Sequence, residues 1–167
     1  MSRLSVLKNV AKAGVATRRY PYQAIEVPET FRGKPVIDPS KCIGCGSCAN
    51  ACPPNAISVI DDDERGVRRI VIFLGRCIFC GRCADVCPVQ AIELTKEFEL
   101  ATDSLQDLEY AVEIPMARCE LCGKPFAPLP LVAKAMRAVD PSVRRMLVLC
   151  PECRSLFIAR VLSKTRR

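Results

Sequence analysis

Histidine and tryptophan are absent from these 167 residues, and aromatic residues make up only 5% of them. Without histidine there are no His-ligated cluster variants and no Cys/His zinc sites, which leaves thiolates and carboxylates as the side-chain ligands. With so few large aromatic residues, stability has to lean on something besides apolar packing, and in small metal-binding units metal-binding free energy is largely folding free energy. No uncharged apolar run approaches the roughly 18 to 20 residues that a membrane-spanning helix needs. Lys8 and Lys12 interrupt the N-terminus before a signal-peptide core can form, so the chain reads as neither membrane-spanning nor exported.

What the chain has instead is cysteine, 12 in all, too many for incidental core packing. Reduced thiols in that number fit a cytoplasmic compartment. Eight of them spell C-x-x-C-x-x-C-x-x-x-C-P twice, as Cys42, Cys45, Cys48, Cys52-Pro53 and Cys77, Cys80, Cys83, Cys87-Pro88. Each cysteine of the first run lies 35 positions before its counterpart, as Ala56-Ile57 lie before Ala91-Ile92, so one unit occurs twice. This is the bacterial ferredoxin run. Three thiolates two residues apart close around one face of a cubane. The fourth stands too far away and, in two-cluster ferredoxins, ligates the other cluster. The expected sites are Cys42, Cys45, Cys48 and Cys87 for one [4Fe–4S] cluster, and Cys77, Cys80, Cys83 and Cys52 for the second. A disulfide framework would want a secreted chain, and a three-residue step ending in Cys-Pro is not zinc-finger spacing. Without metal the chain is expected to be mostly unfolded.

Residues 1–25 carry Arg3, Lys8, Lys12, Arg18 and Arg19 and no acid, while Leu4, Leu7, Ala11 and Val15 recur at helical spacing. This basic amphipathic helix has three open roles: lying on an anionic membrane surface, docking on a partner subunit, or capping the cluster domain as core. Pro21, Pro28, Pro35 and Pro39 push the next stretch into an extended arm, either wrapped on a neighbour or solvated as a linker. Ile57–Ile60 and Arg69–Phe73 read as a hairpin around the acidic turn 61–66, and a charge run at a turn is usually a solvated one. Ala91–Thr95 reads as a strand mirroring Ala56–Ile60. From Glu93 to Glu113 seven acids face one base, Lys96, which marks a connector ending at Pro115 and partly helical over Thr102–Tyr110.

The tail holds Cys119-x-x-Cys122-Gly and, 27 residues on, Cys150-Pro-Glu-Cys153. Two C-x-x-C pairs, one followed by Gly and the other containing Pro, read as paired metal knuckles. Leu131–Val139 and Arg154–Ser163 look helical and Met146–Leu149 strand-like, so the second pair falls at a helix start, where the dipole favours thiolates. A structural zinc is the expected metal. A single iron accepts the same tetrahedral S₄ geometry, and disulfides are disfavoured by the compartment.

At Phe31-Arg32-Gly33-Lys34-Pro35, Cys42-Ile43-Gly44-Cys45, Gly75 to Cys83 and Glu97-Phe98-Glu99-Leu100, the chain resembles the two-cluster iron–sulfur subunit of formate hydrogenlyase and related membrane-bound [NiFe] hydrogenases. That group is itself related to the two-cluster subunit of respiratory complex I. The resemblance runs from about Thr17 to Leu100, and Cys150-Pro-Glu-Cys153 matches the formate hydrogenlyase version better than that of complex I. It implies electrons passing through both clusters toward a hydrogenase small subunit, with the large subunit, a donor module and a membrane-arm subunit as further partners. It also implies peripheral residence on the cytoplasmic face of the membrane, with the N-terminal helix at the membrane-arm junction.

The expected architecture is α+β. Residues 1–39 form the amphipathic helix and arm, 40–100 a two-[4Fe–4S] ferredoxin-like domain, 101–115 the acidic connector, and 116–167 a zinc-ribbon-like or treble-clef-like module. No nucleophile–base pair, nucleotide loop or open metal site is visible, so the chain reads as an electron relay without its own active site or small-molecule substrate. The donor is a formate dehydrogenase, a carbon monoxide dehydrogenase or a ferredoxin, and a quinone-linked relay of the complex I type is the alternative. A free soluble ferredoxin would not need the basic helix, arm and tail. Nucleic acid is a poor partner despite the net charge of +7, because no aromatic residues interleave with the basic ones.

Overall fold

The computed structural model describes residues 3–15 and 17–165, which fall into two compact units, Met1–Phe31 and Arg32–Arg167. The division falls earlier than the expected one at 39, because the second half of the arm is part of the larger unit. In the first unit, helix α1 (Arg3–Ala13) ends at Gly14, whose positive φ of 59° lets its N–H donate to the Val10 carbonyl at 3.2 Å. Val15 therefore lies beyond the helix rather than on its stripe, while Leu4, Leu7 and Val10 are exposed on it.

The second unit is built on two sheets. Strand β1 (Pro35–Ile37) pairs antiparallel with β4 (Ile92–Leu94). The pairing continues through Gly33 N–H to the Thr95 carbonyl and Lys34 N–H to the Glu97 carbonyl, both at 2.9 Å. The arm thus closes the duplicated region end to end. Between these strands lie two single-turn helices, α2 (Ser47–Asn50) and α3 (Arg82–Asp85), one in each cysteine run.

The other sheet has the order β2–β3–β5–β6. Strands β2 (Ile57–Asp62) and β3 (Val67–Phe73) are rich in β-branched residues and form the expected hairpin. The acids of its turn are not simply solvated. Asp61 lies directly opposite Arg68 and takes a bidentate pair from it, at 2.6 and 2.7 Å.

The stretch expected as a partly helical connector is instead a short 3₁₀ turn, Leu105–Leu108, followed by the ten-residue strand β5 (Glu109–Arg118), which pairs with β3 along its length. Acidic composition obscured a period of two: Val112, Ile114 and Met116 are buried, while Glu109, Glu113 and Pro115 face solvent. Glu113 is drawn into a bidentate pair with Arg65, both contacts at 2.8 Å. No boundary falls at Pro115, since β5 runs on into the hairpin with β6 (Pro125–Pro128). Helices α4 (Leu129–Ala138), α5 (Arg144–Leu147) and α6 (Pro151–Thr165) complete the unit. The strand expected at Met146–Leu149 is replaced by the single turn α5, an apolar run too short for periodicity to separate the two states.

Ile70, Ile72 and Ile114 are at most 2% exposed and form the centre of a core that also takes in Cys48 and Cys83. Ile72→Ala is expected to destabilise the cluster-loaded protein by roughly 2–5 kcal/mol, whereas Leu105→Ala, at an exposed position, should stay within about 0.5 kcal/mol. Thermal unfolding followed by circular dichroism checks both; equal effects would contradict this placement of the core.

Candidate metal centres

The duplication seen in the sequence recurs in the backbone. Gly46 and Gly81 precede α2 and α3 with φ of 78° and 79°, Asn55 and Gln90 take φ of 50° and 49°, and Gly44 and Phe79 take 70° and 53°. Each pair is separated by the same 35 positions. The last cysteine of each run accepts an equivalent hydrogen bond, from Ala56 N–H to Cys52 Sγ at 3.3 Å and from Ala91 N–H to Cys87 Sγ at 3.2 Å. Positive φ turns the loop backbone so that its N–H groups face sulfur, as Phe79 N–H does toward Cys77 Sγ at 3.4 Å.

Two cavities result. One is lined by Cys42, Cys45, Cys48 and Cys87 against Ile37, Ile70 and Ile92. The other is lined by Cys52, Cys77, Cys80 and Cys83 against Ile57, Ile72 and Leu94. Three cysteines of one run and the fourth of the other meet in each.

The walls are largely apolar, and burial pushes the thiols of Cys42, Cys77 and Cys83 up, and that of Cys48 to about 11. Four close thiols in an apolar pocket cannot all ionise alone, and cationic iron removes that conflict. The donor set, the apolar walls and the amide–sulfur bonds fit an all-cysteine iron–sulfur cluster in each cavity.

The tail cysteines converge separately. Cys119 ends the β5 side of a tight hairpin, where Gly123 N–H closes on the Cys119 carbonyl at 2.8 Å. Cys150 and Cys153 sit at the start of α6. The four sulfurs lie within 4.8 Å of one another, with Cys122 and Cys150 at 3.7 Å. A tetrahedral ion with metal–sulfur bonds near 2.3 Å sets an edge of roughly 3.8 Å, so the geometry fits one such ion. The Cys150 N–H donates to Cys119 Sγ at 3.3 Å and holds that thiol down at about 6, while Cys153, hydrogen-bonded to Cys150, is pushed up to about 12.

All twelve cysteines expected as ligands thus stand in three groups of four. Three neighbouring residues went unread in the sequence. Arg68, besides holding Asp61, donates to the Gly44 carbonyl at 2.9 Å. Arg32 donates to the Cys80 carbonyl at 3.1 Å. The Tyr110 hydroxyl accepts from Ile37 N–H at 2.8 Å, and burial pushes its phenol to about 12. Arg68 was within reach of sequence reasoning through the hairpin register, which sets it opposite Asp61; Arg32 and Tyr110 act across folds that no local pattern announces.

Comparison with known proteins bears on this arrangement. The family described as 4Fe-4S dicluster domain matches over residues 21–56, 41–91 and 76–125. The chain belongs to that family. It is 41% identical over 155 residues to formate hydrogenlyase subunit 6 of Escherichia coli (strain K12), covering 89% of this chain and 86% of the relative. It is 46% identical over 99 residues to the chloroplastic NAD(P)H-quinone oxidoreductase subunit I of Pelargonium hortorum, 56% of this chain and 59% of that one. A solved chain from the membrane-bound sulfane sulfur reductase, an archaeal respiratory membrane complex, is 26% identical with a TM-score of 0.50, covering 67% of this chain and 63% of its own. The family identifies the chain as an iron–sulfur protein of the two-cluster type.

The crossed grouping has a direct consequence. Cys52→Ser is expected to abolish or alter the cluster signal that Cys80→Ser also abolishes, and to spare the one that depends on Cys45, its neighbour in sequence. Paramagnetic resonance of the reduced variants checks this; loss of the Cys45-dependent signal in Cys52→Ser would show uncrossed ligation.

Proposed function

We propose that the chain is an electron-relay subunit, carrying electrons through two [4Fe–4S] clusters from a donor module to the small subunit of a membrane-bound [NiFe] hydrogenase. The carrying observation is the similarity to formate hydrogenlyase subunit 6, which extends over 89% of the chain and so takes in more than the cluster runs. The NAD(P)H-quinone oxidoreductase relatives match 56–64% of the chain at 39–46% identity, which supports the quinone-linked relay as the second reading.

A [4Fe–4S] cluster supplies a one-electron site without a change of bonds. The protein's part is to hold and shield it. Cys42, Cys45, Cys48 and Cys87 hold the first cluster, and Cys77, Cys80, Cys83 and Cys52 the second. Isoleucines from both sheets exclude water from each cavity. The crossed fourth ligands tie the two sites into one body, which keeps the distance between them constant.

Cys119, Cys122, Cys150 and Cys153 hold a structural zinc, closed to substrate because four protein thiolates fill its shell. A hairpin knuckle facing a helix start favours the treble-clef-like form over the ribbon. Among the described residues no helix is long and apolar enough to cross a membrane. The exposed apolar residues of α1 beside its lysines support a peripheral seat, against a membrane-arm subunit or lipid headgroups on the cytoplasmic face.

In the assembled complex, Cys80→Ala is expected to bring donor-linked hydrogen production to background while hydrogen production from a directly reducing dye is retained. Gas chromatography of both assays on one preparation decides it. Donor-linked production that persisted with both clusters of this subunit missing would replace the relay with a structural role.

A further inference from the structure

The two cluster loops are alike in backbone and unlike in what covers them. Gly44 and Phe79 occupy equivalent places, both at positive φ. Phe79 supplies its own half-buried ring. Gly44 has none, and the space is taken by Pro128: a Cβ added to Gly44 would stand 2.8 Å from the Pro128 Cγ and 2.9 Å from its Cβ. Pro128 is among the fully buried side chains and lies at the end of β6, where the hairpin bearing Cys119 and Cys122 passes into α4. Arg68, reaching the same loop, fixes the Gly44 carbonyl at 2.9 Å while anchored on Asp61. The second loop is held at its Cys80 carbonyl by Arg32, an exposed residue that belongs to the arm.

We propose that the four-cysteine module is a cover for the first cluster site alone: by seating Pro128 on Gly44 it keeps water from the Cys42–Cys48 loop and so holds the reduction potential of the cluster there below that of an open site. The sign follows from charge. Reduction adds one electron to a centre that four thiolates already make anionic, and water stabilises the more highly charged form more strongly, so exposure raises the potential. The cover rests on the reading that the tail cysteines hold a metal, since that ion ties the hairpin to α6 and thereby fixes β6.

The test is a redox titration of the full-length chain in its assembled complex, followed by paramagnetic resonance, with the two signals assigned through Cys45→Ser and Cys80→Ser. In Pro128→Ala the first cluster's potential should rise by about tenfold in its reduction equilibrium constant, 59 mV for a one-electron couple. Its signal should also be lost faster to a water-soluble iron chelator, with the second cluster unmoved and the tail metal retained by elemental analysis. Cys150→Ser, which removes a tail ligand, should shift the same cluster in the same direction. Should Pro128→Ala fail to assemble, Pro128→Ser, which also removes the ring from over Gly44, serves instead, with the same rise expected. Unchanged potentials in both the Pro128 and Cys150 variants, or equal shifts of both clusters, would overturn the cover. A wild-type tail containing neither zinc nor iron would overturn the cover together with the metal reading on which it rests, whereas a metal-bearing tail with unchanged potentials would overturn the cover alone.

Discussion

The fourth cysteine of each run stands in the other run's cavity, and most of the architecture depends on that exchange. Cys52 follows α2 yet lines the cavity of Cys77, Cys80 and Cys83, while Cys87 follows α3 yet lines that of Cys42, Cys45 and Cys48. Neither run can complete its site alone, so the two must fold together. The β1–β4 pairing fastens the outer ends of the duplicated segment, and the β2–β3 hairpin fills the space between the runs. With few aromatic residues available, Ile70 and Ile72 serve both as core and as walls of the two cavities, with Ile114 packed in the same core. A substitution in that core therefore acts on the cluster sites as well as on stability.

Strand β5 is what joins this duplicated unit to the tail. It continues the hairpin sheet at β3, buries Val112 and Ile114 against the cluster core, and then enters the hairpin that carries Cys119 and Cys122. A four-cysteine site at the far end of such a strand is not an appendage. Its hairpin delivers Pro128 to the first cluster loop, and β3 of the same sheet brings Arg68 to the Gly44 carbonyl. The two cluster sites share a backbone plan and differ in their surroundings, which is how one duplicated unit acquires two distinguishable electron sites.

Much of this was legible in the sequence. The 35-residue repeat located the cysteines that line both cavities, because a fixed spacing of cysteines constrains the loops more tightly than any helix or strand preference does. The hairpin after the first run followed from its β-branched residues and the turn ending at Gly66. Other features were hidden for identifiable reasons. The acids of β5 read as a connector because their charge masks the alternation of buried and exposed residues along the strand. Met146–Leu149 was too short to show a period and folded as a helical turn. The boundary at 39 missed the pairing of Gly33 and Lys34 with residues beyond β4, contacts made across about sixty intervening positions that no local signal encodes. Pro128 and Tyr110 matter through what they touch, and touching is a property of the fold.

Two clusters held in fixed proximity by exchanged ligands should reveal one another magnetically. Low-temperature paramagnetic resonance of the fully reduced protein addresses this most directly, through the spin count and the line shape together. The account predicts two half-integer spins per chain, with lines broadened by magnetic coupling between the two centres. A single spin per chain, or two signals that superimpose without mutual broadening at any level of reduction, would contradict it.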